Sequence, residues 1–518
     1  MKIIYDTESK FVVAGLASNI DTSDFSSSVL SKMFPNYTGR LDSCLLDVSH
    51  GVSIIGSEIH FLSGIPYKLT KKDKTIFELS KEEIQKRIDR SNEEKKKRVL
   101  SHFPCICGKS SVESFVDRLV RIPQTSNNIV ASLSNGNYFD EKILKVGWWG
   151  SFTDAGGYAN MNRQIVSRLH NHHIIPYIRM YPTIPQVEAP VADLLNLFAD
   201  LSPKKGSHPF VYAYTPMPHE WHNGKRIFFT MFETATLHPV FVDHCNKYSD
   251  EIWVPSTANK EVFVSSGIKK IIRVIPLGID ELIYFSDTQR SKNFGGFVGL
   301  FGKPVEEGLC SFKFVTVIQW NFRKGYDALL KSFVNAFTDK DDVCMVITTQ
   351  YSKETVMNDL TQFLPRQDHL PQVVLYNHVI PTIDMPAYYK QFDCYIHLSR
   401  GEGFSLTQIE AGACGLPVIS CFHSGMTEYL TGENSYMIEC PDLEKTCPKL
   451  NSICCYYQDQ LMWKLGPKQI DQSIDHMKNV FSNYSSAKEK SKIFYKEIVD
   501  KYTWEKTTER VVSVLKTL

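Results

Sequence analysis

The 518-residue chain predicts an α/β protein built on two doubly wound parallel sheets, and three observations point there. Short apolar runs alternate with helical stretches, and this happens twice. The runs are apolar throughout rather than at every second residue, as in strands covered on both faces. A polar, glycine-rich stretch separates the two series.

The first series spans about 143–285. Its strand candidates are 145–149, 174–178, 210–214, 227–231, 251–254 and 271–275, with helical spacing over 161–169. Residues 286–310 break the rhythm with polar and glycine residues and read as the connection between domains. The second series has strand candidates at 312–318, 343–347, 373–376, 392–398 and 417–420, and helical candidates at 325–337, 352–364, 383–391 and 406–414. From about 456 the chain reads as mainly helical.

This gives four parts. Residues 1–142 form an N-terminal extension without an assigned role. Residues 143–290 are a first Rossmann-like domain, 291–485 a second, and 486–518 are C-terminal helices. Within the extension, residues 80–100 interleave acids and bases three and four apart, such as Glu82 with Lys86, which predicts a solvated helix. Ser80 and Glu83 supply a capping box at its start. A basic nucleic-acid patch is the weaker reading of that stretch, because acids are interleaved.

Ligands of doubly wound sheets bind at the carboxyl ends of the strands. That directs attention to the loops after Ile318 and Leu398. The second loop runs Ser399-Arg-Gly-Glu-Gly-Phe-Ser405 into a predicted helix whose first N–H groups make an anion site. Gly401 and Gly403 let backbone approach a phosphate. Glu402 and Glu410 flank the helix start, roughly 12 Å apart along a fully helical path. That suits a sugar on one side of a diphosphate and a ribose on the other, because carboxylates accept from hydroxyls. Alone, either glutamate reads as an acidic loop residue or as a first-turn Glu on the helix dipole. The first loop carries Arg323 and Lys324, cations able to neutralise a leaving diphosphate. Alone they read as a solvated basic turn. Together the two loops converge on one ligand type.

Residues 399–419 resemble the signature of retaining GT-B glycosyltransferases of family four (group 1), in which two glutamates are separated by seven residues. The matching pieces are Glu402-Gly-Phe404, Glu410-Ala411 and Cys414-Gly-Leu-Pro-Val-Ile419. Further pieces are Arg323-Lys-Gly325, Val254-Pro-Ser256, Ile275-Pro-Leu-Gly-Ile-Asp280, Phe232-Glu-Thr234 and the Gly156-Gly157 turn. The resemblance covers about 143–518 and does not extend to the first 142 residues. Tyr502-Thr-Trp-Glu505 onward resembles the family's closing helix, which packs back on the first domain.

The resemblance implies a hexosyl transfer from a nucleotide-sugar, with retention, to an acceptor hydroxyl on a glycan, lipid or glycoprotein. Glu402 would contact the donor sugar, Glu410 the ribose, and Arg323 and Lys324 the diphosphate. The backbone of Gly403, Phe404, Ser405 and Leu406 would help hold the diphosphate, and Gly156 and Gly157 would join the donor site. His378 and Val379 match the region that reads the base. Glu233 and His238 are acceptor-side candidates, each equally at home as a cap or packing residue. Gln319 stands where many members carry Arg, and Ser405 where many carry Gly. The rival functions are a non-catalytic nucleotide-sugar-binding or scaffold protein and a nucleotide-sugar epimerase.

No cofactor and no metal are expected at the donor site: the chain has no Asp-x-Asp pair placed for one, and the cations make it dispensable. His170-Asn-His-His173 lacks accompanying carboxylates or cysteines. Cys105 with Cys107 and Cys454 with Cys455 lack a second pair at zinc spacing. The 13 cysteines suit reduced thiols. A net charge of +1 calls for no nucleic acid. No apolar run of about 18 residues and no signal core at the start lead to an expected cytoplasmic location, with peripheral membrane association left open.

Overall fold

The computed structural model describes residues 144–152, 154, 156–169, 172, 174–180, 208–218, 224–284, 294–363, 369–451 and 454–518, with short strands before them. The chain divides into two units, residues 1–138 with 185–202, and residues 139–184 with 203–518. In the first unit, strands at 2–6, 12–16 and 41–45 form an antiparallel sheet with the 2–6 strand central. Strands at 52–55, 58–61 and 66–67 form a second antiparallel sheet. The predicted helix at 80–100, its Ser80–Glu83 box, Cys105, Cys107, His170 and His173 lie outside the described residues.

The second unit holds both Rossmann-like lobes. The first lobe's strands are β1 (Leu144–Gly150), β2 (Ile174–Met180), β3 (Phe210–Ala213), β4 (Arg226–Phe229), β5 (Glu251–Val254) and β6 (Ile271–Val274). They run in the order β6-β5-β4-β3-β1-β2, all parallel. Its helices are α1 (Gly157–Leu169), α2 (Pro239–Tyr248) and α3 (Thr257–Ser265). Each of the last two is capped by a side chain. His238 Nδ1 accepts from Val240 N–H ahead of Pro239, and Ser256 Oγ accepts from Asn259 N–H.

In the second lobe the strands are β7 (Val298–Phe301), β8 (Phe312–Val317), β9 (Val343–Thr348), β10 (Gln372–Tyr376), β11 (Cys394–His397), β12 (Val418–Phe422) and β13 (Tyr436–Glu439). Their order is β7-β10-β9-β8-β11-β12-β13. Every residue of β9, β10 and β11 is buried, the physical reason these strands read as unbroken apolar runs. The strand β7 falls inside the predicted connection and pairs antiparallel with β10. It is a half-buried edge strand, so it carries no strong apolar signal.

The main helices here are α4 (Tyr326–Ala336), α5 (Lys353–Phe363), α6 (Met385–Tyr389) and α7 (Leu406–Ala413). After β13 the chain makes an excursion with two short antiparallel strands, β14 (Leu443–Lys445) and β15 (Leu461–Trp463). This strap crosses to the first lobe. Leu450, Tyr457 and Met462 complete a core with Phe228, Phe232, Leu237, Phe241 and Phe263. Full burial of an apolar side chain is worth about 1.5–3 kcal/mol. Hydrogen bonds sew the same seam: Ala235 N–H to Leu461 O at 2.7 Å and Leu461 N–H to Thr236 Oγ1 at 3.0 Å.

Three helices end the chain: α8 (Pro467–Ser482), α9 (Tyr484–Lys501) and α10 (Trp504–Leu515). Helix α9 lies on α7, where a Cβ at Gly412 would meet Phe494 at 2.4 Å. Only α10 packs against α1 of the first lobe. The return therefore begins near 502 rather than at 486, because Ala487, Phe494 and Ile498 are buried on the second lobe's side. Among the described residues, no helix is long and apolar enough to cross a membrane.

Candidate active site

Strand order reverses between β8 and β11, which are neighbours in the sheet although about eighty residues separate them. The loops that follow them are thereby brought side by side. In the first, Asn321 Oδ1 accepts from Lys324 N–H at 3.2 Å and closes a turn. Gly325 then takes φ +64°, and a Cβ there would lie 1.7 Å from Leu398 O. Only glycine permits this approach. Arg400 N–H completes the junction by donating to Arg323 O at 2.7 Å.

Glu402 is the centre of the resulting cluster. Its Oε1 takes Lys324 Nζ at 2.7 Å and His397 Nε2 at 3.0 Å, and its Oε2 takes Arg323 at 3.1 Å. Arg323 also donates to Gly401 O at 2.6 Å and approaches Glu233 Oε1 at 3.7 Å. Tyr457 of the strap donates to the other Glu233 oxygen at 2.9 Å. Glu402 is 4% exposed. Burial alone would raise its pKa, but Lys324, Arg323 and His397 outweigh that and hold it well below the usual range. Burial would likewise lower Arg323, yet Glu402 and Glu233 keep it protonated. For Lys324 and His397 burial prevails and both are lowered.

Glu410, at the start of the second turn of α7, has a different setting. Burial raises it to about 7. Tyr389 OH donates to its Oε2 at 3.3 Å. The buried Tyr284 hydroxyl also lies beside it and lowers it, with no partner of good hydrogen-bond geometry among the described residues. Between the two glutamates, Ser405 occupies the cap position of α7 at φ +70° and its side chain caps no N–H. The helix start is left for another acceptor.

The other sequence-derived residues divide. Gly401 and Gly403 are glycine because the first lobe comes close: a Cβ at Gly401 would meet Glu233 O at 1.7 Å, and one at Gly403 the Met231 side chain at 2.8 Å. Phe404 turns its ring into the core against Tyr429 and Tyr502, so only its backbone is left to meet a ligand. Gly157 opens α1 with nothing within 4 Å of a Cβ there, while Gly156 N–H is held by Asp154 at 2.7 Å. His378 and Val379 are exposed on the loop after β10, at the same sheet edge. His238 is the cap of α2 and faces Tyr456 of the strap, while Glu233 joins the cluster.

Sequence reading missed His397, Tyr389, Tyr284 and Tyr457. A histidine ending an otherwise apolar strand was the available signal for His397. It also missed Cys421, His423 and Cys440, whose ligand atoms lie within 4.8 Å of one another, and no other such group occurs among the described residues.

Residues 311–454 match the family described as glycosyl transferases group 1. The α-monoglucosyldiacylglycerol synthase of Streptococcus pneumoniae (strain ATCC BAA-255 / R6) is 24% identical over 171 residues, which are 33% of this chain and 37% of that relative. Two solved structures share the fold. HepE of Anabaena, in complex with UDP-glucose, superposes with a TM-score of 0.50 at 13% identity, over 72% of this chain and all of HepE. The sucrose-phosphate synthase of Thermosynechococcus elongatus superposes with a TM-score of 0.50 at 12% identity, over 72% of this chain and 98% of that one. The second lobe thus matches the group 1 glycosyltransferase family, and the chain has the GT-B fold.

Proposed function

We propose that the chain moves a sugar from a nucleoside-diphosphate-sugar to an acceptor hydroxyl, with retention and without a divalent metal at the diphosphate. The observation that carries this reading is the buried Arg323–Lys324–Glu402 cluster beside the uncapped start of α7. Two cations and two carboxylates, Glu402 and Glu233, balance there. An arriving diphosphate competes for the cations, and Lys324, lowered by burial, gains an anionic neighbour. Glu402 then accepts from the donor sugar's hydroxyls, and Glu410 from the ribose. The loop at His378 and Val379 faces the base.

Negative charge grows on the diphosphate as the glycosidic bond breaks. Donors fixed in a buried site stabilise that charge without reorganising. The acceptor oxygen forms its bond to the anomeric carbon on the face the phosphate leaves, and its proton passes to the departing phosphate oxygen. Glu233 and His238 line the acceptor side in this reading. The ten described cysteines are free thiols, which supports a reducing, cytoplasmic setting.

A nucleotide-sugar panel tests the reading, beginning with UDP-glucose, the ligand of the HepE complex. The expected result is hydrolysis or transfer with the donor's anomeric configuration kept by NMR. A C2 epimer would favour the epimerase, and binding without turnover the scaffold. Activity lost in EDTA and restored by manganese or magnesium would refute metal independence.

A further inference from the structure

We propose that Cys421, His423 and Cys440 form a zinc-type metal site directly beneath the donor loop. The strands β12 and β13 are parallel neighbours, with Cys421 opposite Ile438. Side chains two apart on a strand share a face. His423 therefore follows Cys421, and Cys440 follows Ile438, on one side of the sheet's carboxyl edge. All three are buried, at 0%, 4% and 6% exposure. One ligand atom from each lies within 4.8 Å of the others. Zn–S and Zn–N bonds of about 2.3 and 2.0 Å put ligand atoms under about 4 Å apart, so the three need to close by only about 1 Å. Two sulfurs and an imidazole form a ligand set that selects zinc over magnesium or calcium.

The imidazole is already oriented. His423 Nε2 pairs with Ser399 O at 2.8 Å, and Nδ1 with Ser424 Oγ at 3.0 Å. Its ring is stacked on Trp463 at 4.5 Å and 8°. One of the two bonds gives way when the ring takes a metal. The other remains and fixes the tautomer, as a ligating histidine requires. Ser424 is held at φ +48°, an uncommon conformation for a residue with a Cβ, and such conformations gather at functional sites. The fourth tetrahedral position falls to water.

This metal would not touch the diphosphate. It would fasten the ends of β12 and β13 to the donor loop through whichever of Ser399 and Ser424 keeps its bond to the ring; the Ser424 hydroxyl also accepts the Glu402 N–H at 3.1 Å. Loss of activity in a chelator that zinc restores, and magnesium or manganese does not, belongs to this site.

Cobalt(II) titration of the full chain under reductant is the test. One equivalent should give a thiolate-to-cobalt charge-transfer band and the visible bands of tetrahedral cobalt. Cys421→Ser, Cys440→Ser and His423→Asn should each abolish the stoichiometric signal, with folding checked by circular dichroism. The double variant Cys454→Ser with Cys455→Ser should keep it. Zinc-edge absorption on the wild-type protein gives the answer without variants, and should show two sulfurs and one imidazole nitrogen. No charge-transfer band in the wild type, a band that survives Cys440→Ser, or a zinc shell without sulfur would each overturn the proposal.

Discussion

Glu402 and Glu410 stand eight positions apart on one loop and helix, yet their surroundings treat them in opposite ways. Glu402 has three positively polarised neighbours and is held ionised despite burial. Glu410 has tyrosines around it, no cation beside it among the described residues, and a pKa raised to about 7. The contrast teaches that the first carboxylate is part of a finished charge network, while the second sits in an apolar niche, where the proposed function has it accept from hydroxyls. Charge complementarity fixes the one, and burial tunes the other.

Removing each carboxylate breaks the comparison most sharply. Glu402→Ala leaves Arg323 and Lys324 buried without their main partner. Breaking a buried pair in this way costs about 3–5 kcal/mol, which denaturant unfolding would register as a large fall in midpoint. Glu410→Ala at pH 8 should be neutral or mildly stabilising by the same measurement, because it removes a carboxylate that ionises at a cost.

Kinetics separate the two ends of the loop next. In the proposed function Lys324 faces the leaving group, so Lys324→Ala should lower kcat and kcat/KM together by about 10²–10³-fold. In the same reading Glu410 faces a ribose that does not change during the reaction. Glu410→Ala should therefore raise the donor KM more than it lowers kcat, on the scale of the 1.5–3 kcal/mol of about one hydrogen bond involving a charged group. Steady-state kinetics with varied donor decide this, and wild-type behaviour in both variants would remove the basis for the site.

Acid sharpens the comparison further. Glu410 is raised from 4.5 to about 7 in the folded chain, so its protonated form is the one folding favours. That contribution to stability is fully present below about pH 4.5 and is lost as pH rises through about 7. Donor binding runs the other way. If ribose hydroxyls donate to the ionised form, as proposed, donor KM should climb as pH falls below about 7, approaching about tenfold per unit. Glu410→Gln should flatten that limb of the profile, whereas Glu402 stays ionised across the same range.

How far the sequence revealed all this follows from where each signal resides. The loops after β8 and β11 were legible because unbroken apolar strands mark both sheets, and because strand ends in doubly wound sheets are where ligands bind. The strap was not legible, since Tyr457 reaches Glu233 across 224 positions and neither residue shows a periodic pattern. The strand β7 was hidden because an edge strand needs no second apolar face. The first turn of α1 was missed for a related reason. Helical spacing was visible only from Met161, whereas Gly157–Asn160 begin the helix with few apolar residues. The Cys421–His423–Cys440 cluster escaped because its members come from two strands, at a spacing that matches no zinc motif.

The smallest expected effect lies between the two glutamates, at Ser405. Its φ of +70° and ψ of +81° place a Cβ-bearing residue in left-handed territory. A left-handed conformation costs an L-residue roughly 1–2 kcal/mol. The surroundings enforce it: Tyr429 OH donates to Phe404 O at 2.8 Å and Ser405 O at 3.1 Å, and the Phe404 ring is buried. Ser405→Gly relieves the strain but gives the unfolded chain more freedom. The net gain should be about 0.5–1 kcal/mol, because a glycine's extra chain entropy, roughly 0.5–1 kcal/mol, offsets part of the relief. Ser405→Ala keeps the strain and loses the hydroxyl, which Gln408 Nε2 approaches at only 3.4 Å, so it should lie at or slightly below wild type. Denaturant unfolding of the three proteins ranks them. If glycine proves less stable than serine while alanine falls equally, the hydroxyl and not the backbone governs this position, and the turn joining Glu402 to Glu410 is held by hydrogen bonding instead of by conformation.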